Sequence, residues 1–144
     1  MKQEQPRCKV IVFERSMQVD EQVFVNLLKE QGKFEYVEAQ VFHMLCEETP
    51  APALGGVVYL STDPEVCMSR IAARSRAGED CLTAEYVSSC HDHHERWLRH
   101  EVASGTKTLS IDANASATYD PESKEDLGLR WVERAKEFIS GFLS

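Results

Sequence analysis

The sequence has no C-x-x-C pair, no apolar run of membrane-spanning length, no internal repeat, no low-complexity tract and no surplus of positive charge. Each absence excludes something. Five cysteines (Cys8, Cys46, Cys67, Cys81, Cys90) make an odd count without paired spacing, which favours reduced thiols in an intracellular compartment over a disulfide framework. The N-terminal Met-Lys-Gln-Glu-Gln-Pro-Arg has no apolar core, so no secretory signal is expected. Without a run of spanning length, the protein is expected to be soluble, cytoplasmic and independent of membranes. Sixteen Lys and Arg against 24 Asp and Glu leave a formal charge of −8, which argues against general binding to nucleic acid. An acidic chain can still hold a phosphate ligand where its arginines cluster.

What is present suits a globular domain. At 144 residues, with 42% hydrophobic and 28% charged side chains, the chain can bury a sizeable core and is not disordered by composition. Residues 10–13, Val-Ile-Val-Phe, read as a strand buried on both faces, with Glu14, Arg15 and Ser16 at its carboxyl end. Val23, Phe24, Leu27 and Leu28 recur at helical spacing, and Gly32 supplies a stop. Tyr36, Val37, Gln40, Val41, Met44 and Leu45 form one side of a second helix, followed by a Pro/Gly-rich loop over 49–56. Residues 57–60 are a second buried strand, and Asp63-Pro64 opens a helix that runs to about Arg74. A long helix spans 85–102, with Tyr86, Cys90, His94 and Trp97 on one face. A third strand covers 108–111, a polar loop 112–123, and a last amphipathic helix carries Trp131, Val132, Ala135, Phe138, Ile139 and Phe142. Strands separated by helices predict an α/β fold with a three-stranded parallel sheet and flanking helices.

Three clusters could carry chemistry. Arg70 and Arg74 share a helix face, and Arg76 follows them; guanidinium forks bind phosphate oxygens bidentately and stabilise charge during phosphoryl transfer. The same arginines could form a solvated face paired with Glu65 or Glu79. Glu14, Arg15, Ser16 and Asp20 sit beyond the carboxyl end of a strand, where open parallel sheets bind ligands and where a hydrated Mg²⁺ could be met. A strand-end ion pair with Ser16 as a turn residue is the alternative. Cys90, His91, His94 and Glu95, with Cys81, lack any established zinc spacing, so a core histidine is preferred and no metal ligand is expected.

Read together, the segments resemble the deoxynucleoside kinase family (deoxycytidine, deoxyguanosine and mitochondrial-type thymidine kinases). The likeness rests on an ordered set. Glu14-Arg15-Ser16 with Asp20 comes first, then Val58-Tyr59-Leu60, Asp63-Pro64-Glu65-Val66-Cys67 and Arg70-Ile71. Arg74-x-Arg76-x-x-Glu79 follows, then Glu85-Tyr86, His91-x-x-His94-Glu95-x-Trp97-Leu98, Leu109 to Asn114, and Lys136 to Ile139. The resemblance implies a P-loop-kinase-like sheet and a lid at about 70–82. It implies transfer of the ATP γ-phosphate to the 5′-hydroxyl of a deoxynucleoside, with Mg²⁺ reached through water, in nucleotide salvage. By it, Arg15 holds the 5′-hydroxyl and the incoming phosphoryl group, Glu14 lies near the Mg²⁺ water shell, and Asp20 orients a base-binding arginine. Glu79 binds the sugar 3′-hydroxyl, Arg70 stacks on adenine, Arg74 and Arg76 grip the phosphates, and Ala115, Ser116 and Ala117 fall in the adenine loop.

One departure is large. Family members open with a strand and a Gly-rich P-loop, G-x-x-x-x-G-K-[ST], and these residues contain no such motif. The family's general base also lies in that front portion, and its P-loop strand sits between the counterparts of 10–13 and 57–60. The chain therefore resembles the C-terminal part of the enzyme from its third strand, and it is expected to be inactive alone. Unpaired backbone and apolar surface are expected beside the vacant strand position. Alternatives are a non-catalytic truncated relative that associates with a full-length kinase, and an unrelated α/β protein that binds an anion. Family members dimerise through helices, so a dimer is also expected.

Overall fold

The computed structural model describes residues 10–48 and 53–143, which leaves Cys8 and residues 49–52 of the predicted loop outside the described part. The chain divides into two compact units: Arg15–Ala115, and the residues up to Glu14 together with those from Ser116 onward.

In the larger unit the first helix, α1, comprises Met17–Val19, a π-helical stretch Asp20–Val25, and Asn26–Glu30 in unbroken succession. Ser16 caps it, its hydroxyl oxygen accepting from the Val19 N–H at 3.4 Å, and Gly32 ends it at φ +64°. Helix α2 is Tyr36–Glu48, β1 is Gly56–Ser61, α3 is Pro64–Arg74, α4 is Ala84–Ala103 and β2 is Lys107–Asp112. The two strands pair in parallel, from Gly56 opposite Lys107 to Ser61 opposite Asp112. Two parallel strands need a crossover, and α3 and α4 supply it. Thr83 caps α4, its hydroxyl accepting from the Tyr86 N–H at 3.1 Å.

The core lies where α1 meets α4. Val19, Val23 and Trp97 are buried together, with Phe24, Leu54, Val57 and Leu98 packed against them. Sequence periodicity places this face correctly for α1, but in α4 the fully buried histidine is His93, not His94. His93 and Trp97 are four residues apart and form the deepest row, while His94 lies half out and meets the Phe24 ring edge-on at 5.6 Å. Helix α2 is formed as predicted, yet Tyr36, Val37, Val41, Met44 and Leu45 are all exposed.

The α/β class and parallel pairing are as expected, but the sheet has two strands among the described residues, not three. Residues 10–13 form no strand, and Ile11, Val12 and Phe13 are 60–70% exposed. A strand needs a ladder on at least one edge, and, among the described residues, 10–13 have none. Val58 and Leu60 of β1 are also exposed.

The smaller unit is organised by the helix Leu127–Ser140, α5. Asp126 is its cap: Oδ1 accepts from the Leu129 N–H at 2.7 Å, and Oδ2 accepts from the Thr118 hydroxyl at 3.2 Å. The Leu129 bond, with further ones from Asp120, Thr118 and Gly128, holds the Asp126 carboxyl below the usual range. A carboxyl lowered on folding stabilises the fold above its unfolded pKa and loses that effect as pH falls through its folded one. Asp126→Asn keeps a capping oxygen and removes the charge. It is expected to speed amide exchange in the first turn of α5 at neutral pH, by a ratio that shrinks toward one under acid. A ratio independent of pH would contradict this.

Gly128 shows why the helix starts where it does. A Cβ there would collide with the Thr118 carbonyl oxygen, so the loop can lie on the first turn only over a glycine. Gly128→Ala is expected to cost about 1–3 kcal/mol or more by overpacking against rigid backbone. Denaturant melts of variant and wild type measure it, and an unchanged midpoint would show that the loop moves aside freely.

Candidate active site

In an open parallel sheet, loops beyond the carboxyl ends of the strands bind ligands. Here those ends are Ser61 and Asp112, and the lid expected at about 70–82 starts within the next helix, α3. The ladder extends one step, the Ala113 N–H donating to Ser61 O at 2.8 Å. Asn114 then turns back, its N–H donating to Asp112 Oδ1 at 2.9 Å. Arg70, two turns into α3, donates from Nη2 to the carbonyls of Asn114 and Ala115, both at 3.0 Å. Helix α3 and the loop after β2 are thereby tied by the arginine that the family resemblance assigns to adenine stacking.

Helix α3 stops at Ser75, whose left-handed backbone (φ 48°) lets its N–H close on Ile71 O. Two turns follow, the Glu79 N–H donating to Arg76 O and the Leu82 N–H to Glu79 O, with Gly78 at φ +87° between. The turns bring Glu79 back onto Arg74. Arg74 donates from Nη2 to Glu79 Oε1 at 2.7 Å and from Nε to Oε2 at 3.2 Å, a two-point ion pair. Arg76 is exposed and its guanidinium has no partner among the described residues. The pairing of Arg74 with Glu79 satisfies the reading in which these arginines pair with neighbouring acids.

Arg15 carries backbone strain. Its φ is +69°, a region that costs a non-glycine residue about 1–3 kcal/mol and persists where surroundings enforce it. Its guanidinium lies over the Phe24 ring at 4.9 Å from the centroid, within cation–π range. It is also close enough to Tyr86 to favour that phenolate. Burial and a bond to Cys90 outweigh it, so the Tyr86 hydroxyl is pushed up and stays protonated. Burial likewise raises the Cys90 thiol. Asp20 opens the π-helical stretch, and such stretches are frequent at functional sites. Glu14, Ser116 and Ala117 belong to the other unit.

Other polar contacts brace α4. His93 Nδ1 bonds Ser89 O at 2.8 Å, and its Nε2 lies 3.2 Å from Glu30 Oε2, close enough for an ion pair but misaligned for a hydrogen bond. Arg96 Nη1 reaches the same carboxylate at 3.6 Å. The Tyr59 hydroxyl of β1, half-buried and bonded to Glu95, is held far above the usual phenol range by burial first and Glu95 second. Cys46, Cys67, Cys81 and Cys90 are free thiols. Among the described residues no group of three His, Cys, Asp or Glu side chains could hold a metal ion, and no helix is long and apolar enough to cross a membrane.

Sequence reasoning missed Asn114 as a junction and Phe24 as the platform under Arg15. Phe24 was visible only as one apolar repeat among several, and nothing in the spacing marks its aromatic face.

The family model of deoxynucleoside kinases matches residues 1–140. The mitochondrial deoxyguanosine kinase of Xenopus laevis is 34% identical over 141 residues, 92% of this chain and 53% of that protein. Human deoxycytidine kinase is 31% identical over 143 residues, 91% of this chain and 52% of that protein. Among solved structures, the deoxyadenosine kinase from M. mycoides with bound dCTP superposes with a TM-score of 0.60 at 14% identity, over 85% of this chain and 60% of that one. The chain spans about half the length of the curated relatives it matches. With an ordered motif set, a parallel α/β fold and a family match along nearly its whole length, the chain belongs to the deoxynucleoside kinase family.

Proposed function

We propose that these residues form the lid and phosphate-donor half of an enzyme that transfers the ATP γ-phosphate to the 5′-hydroxyl of a deoxynucleoside, and that they are inactive alone. The observation that carries the reading is the tie between Arg70 and the carbonyls of Asn114 and Ala115, at the carboxyl edge of the parallel pair. In this reading Arg70 stacks on adenine, Ala115 borders it, and Arg74 and Arg76 grip the phosphates. Glu79 takes the sugar 3′-hydroxyl, Arg15 the 5′-hydroxyl and transferring group, and Asp20 orients the base-binding arginine contributed elsewhere in the enzyme. Glu14, Ser116 and Ala117 are assigned by family resemblance alone. Mg²⁺ would arrive with the phosphates and meet this half through water, since the donor set here is arginine-rich. The relatives are named for deoxycytidine and deoxyguanosine, which supports a deoxynucleoside acceptor without choosing among bases.

A second reading is favoured by the exposed apolar row of α2, Tyr36 to Leu45. On it the chain is a non-catalytic relative that pairs with a full-length kinase. A backbone-resolved NMR titration tests the first reading. ATP is expected to shift the signals of Arg70, Arg74 and Arg76, and a deoxynucleoside those of Arg15 and Glu79. Shifts confined to other residues would overturn it.

A further inference from the structure

We infer that Asn114 is a positioning residue for the donor base, acting through Arg70. This rests on the reading of Arg70 as the adenine-stacking group. One residue clasps α3 at two places. Its side-chain Oδ1 accepts from the Asp63 N–H, at the start of the helix, at 2.8 Å. Its carbonyl, with that of Ala115, accepts from Arg70 Nη2 two turns further along.

Asn114 is itself fixed from behind. Ala113 is buried and continues the ladder onto Ser61, and the Asn114 N–H is held by Asp112 Oδ1. The end of β2 therefore sets the axial position of α3 through Oδ1. Two carbonyls on one nitrogen then set the plane of the Arg70 guanidinium. Stacking depends on that plane, because a planar guanidinium binds a ring by its face. The Asp63 side chain makes no capping bond of its own, so the Asn114 bond does part of the work that a helix cap does elsewhere.

The contact uses asparagine only as an acceptor at Oδ1, which makes the role separable. Aspartate can replace it and alanine cannot. The experiment is an NMR titration of the full 144-residue chain with ATP and, separately, with inorganic tripolyphosphate. The readout is the ratio of the two affinities, which isolates the contribution of the base and cancels any charge effect on the phosphates. The wild-type chain is expected to prefer ATP. Asn114→Ala is expected to lose about fivefold of that preference, the scale of one hydrogen bond, with tripolyphosphate affinity unchanged. Asn114→Asp is expected to keep it within about twofold on the same scale. Asn114→Ser, polar but too short to reach Asp63, repeats the loss if the alanine chain does not fold.

Preference retained by the alanine and serine chains, or lost equally by the aspartate chain, overturns the role of Asn114 and leaves Arg70 as the stacking group. A wild-type chain without preference for ATP over tripolyphosphate overturns the donor-site reading itself, and Asn114 with it.

Discussion

Pure protein of these 144 residues, supplied with ATP, Mg²⁺ and each deoxynucleoside in turn, is expected to form no detectable deoxynucleoside monophosphate. Phosphoryl transfer asks little covalent chemistry of the protein and relies on positioning and charge stabilisation, at about 1–100 turnovers per second in kinases. A general base contributes about 10²–10⁴-fold. Each preorganised donor to the developing charge contributes about 10²–10³-fold, and a P-loop cradle supplies several. Removing the base and even one such donor takes a turnover of about ten per second to about four per hour or less. Product followed by radiolabelled ATP over a day measures this. A turnover above about one per minute, on the same scale, would show that Arg15, Arg74 and Arg76 suffice and would sink the claim of inactivity.

The strain at Arg15 is local to the larger unit. Its left-handed backbone and its seat over Phe24 both lie within Arg15–Ala115, so this unit holds the guanidinium in place by its own contacts. Arg74 and Glu79, assigned by the family resemblance to phosphate and sugar, form an ion pair with each other at 2.7 Å. Surface pairs contribute about 0–1 kcal/mol, so a ligand that competes for Arg74 is expected to separate this one at small cost.

Much of the fold could be read from local pattern. Residues 57–60 and 108–111 announced β1 and β2, Asp63-Pro64 marked the start of α3, and the period of 85–102 gave α4 to within a residue or two at each end. The failures share a cause. Residues 10–13 have the same apolar character as 57–60, but an apolar run encodes a wish for burial and not the neighbour that grants it. His93 and His94 differ by one step of helical phase, and which of them is buried depends on where α1 lies. The π-helical stretch of α1 depends on a shift in backbone bonding that side-chain spacing does not report. At the candidate site, the pairing of Arg74 with Glu79 could be read from the sequence because the two lie five residues apart. The bond between Arg70 and Asn114 spans 44 positions and depends on the parallel pairing of β1 with β2, so no local signal foretells it.

Trp97→Ala is expected to unfold Arg15–Ala115 or nearly so. The side chain is 6% exposed and is the largest member of the cluster that joins α4 to Val19 and Val23 of α1, with Val57 of β1 packed alongside. Truncating a buried tryptophan costs about 3–5 kcal/mol, against a total stability of about 5–15 kcal/mol for an ordinary domain. This unit begins with less than the usual reserve, since a two-stranded sheet and the exposed faces of β1 and α2 bury little. For a unit of about 100 residues the loss corresponds to a fall of about 15–30 °C in the melting midpoint, followed by circular dichroism at 222 nm. Trp97→Phe separates volume from polarity. The indole N–H is buried without a hydrogen-bond partner among the described residues, so phenylalanine removes an unsatisfied donor while keeping most of the ring. It is expected to lower the midpoint by less than half as much as alanine. Equal losses for the two variants would mean that the indole N–H has a partner and that α4 is held there by a bond rather than by packing.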